Sequence, residues 1–95
     1  MPAYVICDID VTDSAGYQEY AKQAPPTIAR HGGRYLVRGG AVAVLEGEWR
    51  PNRLVILEFD SVEAARRWHS SEDYAGPKAL RQKTSKGNFV VVEGL

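Results

Sequence analysis

Arg34 and Arg38 bracket Tyr35, Leu36 and Val37 between two glycine pairs, Gly32-Gly33 and Gly39-Gly40. A guanidinium holds a carboxylate or a polarised carbonyl oxygen well, because it offers a planar fork of charged donors. Asp8 and Glu58 are carboxylates that alternation assigns to the same sheet face as those arginines, and a carboxylate there can move a proton. His31, one residue before the first glycine pair, is a candidate general base, histidine being the side chain type suited to proton transfer near neutral pH. The chemistry this set implies is the handling of a small anionic or carbonyl-containing metabolite. Arg38 orients it, Glu58 or Asp8 transfers a proton, and Tyr20, His31 and Trp49 close the pocket. Tyr74 and Arg81 complete the candidate substrate contacts.

Each residue also has a plainer reading. Opposite charges on adjacent strands often form a cross-strand pair and nothing more. His31 suits a helix C-terminus, where a cation is favoured. Tyr20 sits on an inward helical stripe, and its hydroxyl then needs a partner. Ser71 reads as a helix cap, since no serine, histidine and acid lie in a recognisable elbow. Cys7 reads as a small core residue. His31 and His69 are the only histidines and show no metal-ligand spacing. No nucleotide-binding or metal motif occurs, so no cofactor is implied.

The elements that must position these residues follow from periodicity. Residues 3–10 read as a strand with Ala3, Val5, Cys7 and Ile9 on one apolar face. Thr12, Asp13 and Ser14 are capping types ahead of a helix whose stripe is Tyr17, Tyr20, Ala21, Ala24 and Ile28. Pro25 and Pro26 are expected to kink or split that helix near Ala24. Residues 34–38 form a short strand, and Ala41–Glu46 are apolar enough for another or for its extension. Leu54–Phe59 is an unbroken apolar run, the mark of a central strand. Ser61 caps a second helix with Val62, Ala65 and Trp68 inward. Ser71 opens a fresh segment carrying Tyr74, and Asn88–Glu93 is the last strand.

That order, βαββαβ, predicts a four-stranded antiparallel sheet with both helices on one face, in a single domain spanning 1–95. The uncovered face is expected to carry Tyr4, Ile6, Asp8, Arg34, Leu36, Arg38, Leu54, Ile56, Glu58, Phe89, Val91 and Glu93. So apolar a face calls for a cover, and the economical cover is a second copy in a twofold homodimer. Twelve basic side chains balance twelve acidic ones. Such a weak field argues against nucleic acid and against a polybasic membrane anchor. A lone cysteine and no secretion-like start point to a reduced, cytoplasmic protein.

Several of these pieces run in a recognisable order: Tyr17-x-x-Tyr20, His31 through Gly40, Leu45-Glu46-Gly47-Glu48-Trp49, Leu57-Glu58-Phe59-Asp60-Ser61 and Ser71-x-x-Tyr74. The series resembles domain-of-unknown-function family 1330, a group of small bacterial proteins, over essentially the whole chain. The resemblance implies an α+β, ferredoxin-like fold of the dimeric α/β-barrel type, but no established activity. The wider superfamily includes cofactor-independent monooxygenases, haem-degrading enzymes, muconolactone-type isomerases and stress-responsive proteins. Two functional readings stand side by side: an enzyme of monooxygenase or isomerase type, and a non-catalytic dimeric module whose charges only fix sheet register. Fold analogy does not choose between them.

Overall fold

The computed structural model describes residues 1–95. The chain runs β1 (Ala3–Val11), α1 (Ser14–Arg30), β2 (Arg34–Arg38), β3 (Arg53–Phe59), α2 (Val62–His69), α3 (Glu72–Thr84) and β4 (Ser85–Glu93). One antiparallel sheet has the order β2-β3-β1-β4, so β1 and β3 form its centre. The molecule is a slab of 35 × 33 × 16 Å, one helical layer on one sheet. No helix is long and apolar enough to cross a membrane.

Each helix starts on the residue that its side-chain chemistry favours. Asp13, Ser61 and Ser71 accept from the backbone N–H groups of Gly16, Ala64 and Tyr74, satisfying donors that a first helical turn leaves free. Gly32 closes the turn after α1 at φ +76°, a conformation that L side chains rarely adopt. The helix-facing side of β1 is Ala3, Val5, Cys7 and Ile9, as alternation requires, and it packs with Val55, Leu57 and Phe59 of β3. Trp68 fills the centre of the core, its ring 4.2 Å from that of Tyr74 and 5.5 Å from that of Phe59.

Four expectations need correction. First, α1 passes through Pro25 and Pro26 unbroken. Pro25 has no N–H to bond the Ala21 carbonyl, and Arg38 supplies the missing donor: its Nη2 donates to the Ala21 oxygen at 2.7 Å. Secondly, β2 does not alternate cleanly. Arg34 faces Glu58 and Tyr35 faces Leu57, but Val37 then faces Ile56 and Arg38 faces Val55, with Leu36 bulged out between them. The extra residue turns Arg38 to the helix side.

Thirdly, Phe89, Val91 and Glu93 stand opposite Cys7, Val5 and Ala3 in register. They share the helix-facing side, and Val90 and Val92 face the open side instead. Finally, Ala41–Glu46 forms no strand.

Candidate functional site

The residues singled out from the sequence fall into three separate places. On the open face, Glu58 pairs with Arg34, whose Nε donates to Oε1 at 2.6 Å. The expected Arg38–Glu58 neighbourhood is not formed, because the β2 bulge puts the two side chains on opposite faces. Asp8 also points to the open face, but its carboxylate is occupied. It accepts from the Trp49 indole Nε1 at 3.0 Å and from the Asn52 N–H at 3.0 Å. Asp8 and Trp49 thus tie down the end of the segment that follows Gly39–Gly40.

At the far end of α1, His31 meets α3. Its Nε2 lies 3.2 Å from Asp73 Oδ1, and Arg30 Nη1 donates to Oδ2 at 2.8 Å. Hydrogen bonds from Ser71, His31 and Arg30 hold the Asp73 carboxyl well below the usual carboxylate range. This cluster staples the end of one helix to the start of another. It is removed from Arg38.

The third place is beneath α1. A mostly apolar cleft lies between that helix and the sheet, lined by Tyr17, Tyr20 and Ala21 of α1, Tyr35 and Arg38 of β2, and Arg53 and Val55 of β3, with Cys7, Trp68 and Phe89 deeper in. Its enclosed volume is about 20 Å³, enough for one water. Two guanidinium groups stand at its rim. That of Arg38 lies 4.7 Å from the centre of the Tyr35 ring, and that of Arg53 lies 5.6 Å from the centre of the Tyr17 ring. A cation over a ring face is favoured by the ring quadrupole. Neither arginine has a carboxylate partner. The Nε of Arg53 is buried and makes no hydrogen bond at all.

Gly39 allows this arrangement. Its φ is +73°, and a Cβ there would collide with the Arg53 guanidinium.

Tyr20 connects the cleft to a buried polar cluster. Its hydroxyl lies 2.8 Å from that of Tyr74, and Arg81 Nε donates to the Tyr74 oxygen at 3.3 Å. Tyr74 is fully buried and Arg81 is only 6% exposed. It finds no carboxylate. Its guanidinium stacks 4.0 Å from the centre of the Phe89 ring instead. Burial pushes both phenols above their ordinary range, so both are neutral donors at neutral pH.

Among the expected contacts, then, the fold brings Arg38 and Tyr20 to one cleft, with Tyr74 and Arg81 behind Tyr20. Glu58, Asp8, Trp49 and His31 lie elsewhere. Sequence reasoning missed Tyr17, Tyr35 and Arg53. Parity in β3 could have found Arg53, since it shares the phase of Val55, Leu57 and Phe59.

Comparison with known proteins places this geometry. The family model described as "Domain of unknown function (DUF1330)" matches residues 2–95. The chain belongs to the DUF1330 family. Curated proteins give no match. Among solved structures, the RPA0582 protein of unknown function from Rhodopseudomonas palustris superposes with a TM-score of 0.79 at 18% identity, covering 99% of this chain and 82% of that one. SnoaB, a cofactor-independent oxygenase from Streptomyces nogalater, superposes at 0.69 with 12% identity, covering 99% and 93%. HapK from Hahella chejuensis gives 0.64 at 14%, covering 98% and 92%. At these identities the likeness is one of fold: this DUF1330 chain shares an α+β, ferredoxin-like architecture with a four-stranded antiparallel sheet.

Proposed function

We propose that this DUF1330 protein is a small-molecule enzyme that takes an anionic or carbonyl-containing metabolite at the mouth of the cleft beneath α1. The observation that carries this reading is the pair Arg38 and Arg53. Two guanidinium groups sit at the rim of an apolar cleft with no acid beside them, and one has a buried donor left without an acceptor. A buried unmet donor of that kind costs about 1–3 kcal/mol, which a bound carboxylate or carbonyl oxygen recovers. The enclosed space holds only a water, so the body of a ligand lodges by displacing the half-buried Tyr35 ring, which lies against Arg38.

Tyr20 supplies the chemistry. Arg81 donates to the Tyr74 oxygen, which favours Tyr74 donating to Tyr20 and leaves the Tyr20 proton for the cleft. A neutral phenol aimed in this way stabilises an oxyanion as it forms, the role of a preorganised donor. Stabilising an enolate or phenolate serves an isomerase and an oxygenase alike, and SnoaB, a cofactor-independent oxygenase, shares this fold. The carboxylates of Glu58 and Asp8 take no part, since both face the other side of the sheet.

The same reading pairs two copies through the open face. Tyr4, Ile6, Leu54 and Ile56 present an apolar surface there, extended by the exposed Val90 and Val92. A single layer of this kind is covered by a twin more economically than by water.

A thermal-shift panel of aromatic and aliphatic carboxylates against their amides tests the site. Carboxylates raise Tm in the wild type more than the matched amides, whose carbonyl oxygen is a weaker, uncharged acceptor; saturation at 100 times Kd corresponds to about 2.7 kcal/mol. Arg38→Gln and Arg53→Gln abolish the shift. Tyr20→Phe keeps it but loses turnover. Shifts that survive both arginine substitutions refute the site, and a panel with no active carboxylate favours the non-catalytic module.

A further inference from the structure

Residues 40–51 leave the β2–β3 end of the sheet as an arm. None of its backbone groups takes part in a backbone–backbone hydrogen bond. Yet Ala41-Val42-Ala43-Val44-Leu45 has the composition of a strand, apolar and β-branched with no charge or proline until Glu46. Leu45 is 96% exposed, and Val42 and Val44 are exposed as well. The arm is fixed at its ends alone. The Gly39 N–H donates to the Leu54 carbonyl at 2.8 Å, and the Asp8 carboxylate holds Trp49 and Asn52.

The second unmatched element is the outer edge of β4. This strand pairs only with β1, and Val90 and Val92 are 57% and 48% exposed. Along it, between β4 and α2, runs a groove of about 350 Å³ lined by Val5, Trp68, His69, Phe89, Val90 and Val91. A free edge beside exposed apolar side chains is a template for another strand.

We infer that the arm of a second copy, Ala41–Leu45, adds to the outer edge of β4, reciprocally, and supplies the third wall of the α2–β4 groove. The inference rests on the face-to-face pairing proposed above. In such a pair, a twofold axis along the strands lays the β2 side of one copy over the β4 side of the other. Stacked sheets stand about 10 Å apart, and six extended residues span about 20 Å, so the arm reaches. The chain's own β4 lies beyond β3 and β1, on the far edge of the sheet. A reciprocal contact matches the arm of each copy to the β4 edge of the other, which marks a closed dimer rather than a peptide-capture site. The groove with Trp68 and His69 is then built by two chains.

Sedimentation equilibrium and backbone amide exchange on the full chain, for the wild type, Ala43→Pro and Ala43→Ser, test this. Proline removes a donor and cannot continue a ladder, yet Ala41–Leu45 makes no backbone–backbone hydrogen bond within its own copy, so each copy still folds. The expected result is a wild-type dimer with the outward amides of β4 protected. Ala43→Pro weakens dimerisation tenfold or more and exposes those amides, while Ala43→Ser leaves both unchanged. Equal dimerisation and equal β4 protection in Ala43→Pro overturn the arm and leave the face-to-face pair standing. Equal weakening by Ala43→Ser also overturns strand pairing, because serine keeps the N–H. A wild type that stays monomeric at every concentration overturns the pair and the arm together.

Discussion

Removing the Tyr20 and Tyr74 hydroxyls one at a time and together tests the buried cluster. Tyr20→Phe deletes one neutral hydrogen bond but leaves Tyr74 bonded to Arg81, so it costs about 1 kcal/mol. Tyr74→Phe strands two groups, the Tyr20 hydroxyl and the Arg81 Nε, at about 1–3 kcal/mol each, or about 2–6 kcal/mol together. In that background the Tyr20 hydroxyl is already a liability, so adding Tyr20→Phe removes an unmet polar group. The double variant is therefore more stable than Tyr74→Phe alone by about 1 kcal/mol. At about 4–8 °C per kcal/mol for a domain of this size, the difference is easily measured. Urea unfolding at one fixed protein concentration reads the cycle, since any self-association makes stability concentration-dependent. Additive losses, or a Tyr20→Phe cost equal to that of Tyr74→Phe, refute the chain from Arg81 through Tyr74 to Tyr20.

Gly39→Ala places a Cβ at positive φ and against the Arg53 guanidinium. It lowers stability by about 1–2 kcal/mol and weakens carboxylate binding along with it, read by Tm with and without ligand. An unchanged Tm shows that neither constraint operates. Burial pushes the Cys7 thiol up from 9.0 to about 12, against the opposing pull of Arg81. The unfolded chain releases this proton near pH 9 and the folded chain holds it, so its contribution is complete below pH 9 and is lost as the pH rises toward 12, up to about 4 kcal/mol. The wild type loses more stability than Cys7→Ala between pH 8 and pH 10 in urea unfolding; parallel losses refute the assignment.

How far the sequence could be read depended on where alternation carried information. In β1 and β3 one phase is apolar and the other mixed, so Cys7, Val55 and Leu57 were assignable to the core from spacing alone. In β4, Phe89, Val90, Val91 and Val92 are apolar in both phases, and only the register with β1 decides which pair faces the helices. Arg38 was out of reach for a different reason. A bulge depends on how two strands meet, and nothing in Arg34–Arg38 records it.

The proline pair misled because the rule that proline ends a helix assumes that no other donor takes the freed carbonyl. Arg38 takes it from another strand. Caps were legible throughout, since Asp13, Ser61 and Ser71 act on neighbours three residues away. The cleft joins residues from α1, β2 and β3, and such convergence is a property of the folded chain.

The irregularity at Leu36 makes five residues serve two compartments. Upstream of it an arginine balances a carboxylate on one side of the sheet; downstream an arginine grips a helix on the other. Deleting that single leucine shifts the phase of everything after it, exporting Arg38 to the opposite compartment and leaving the Ala21 oxygen unmet. Length at this position is thus a sharper constraint than identity: leucine can be exchanged for many residues, but it cannot be dropped.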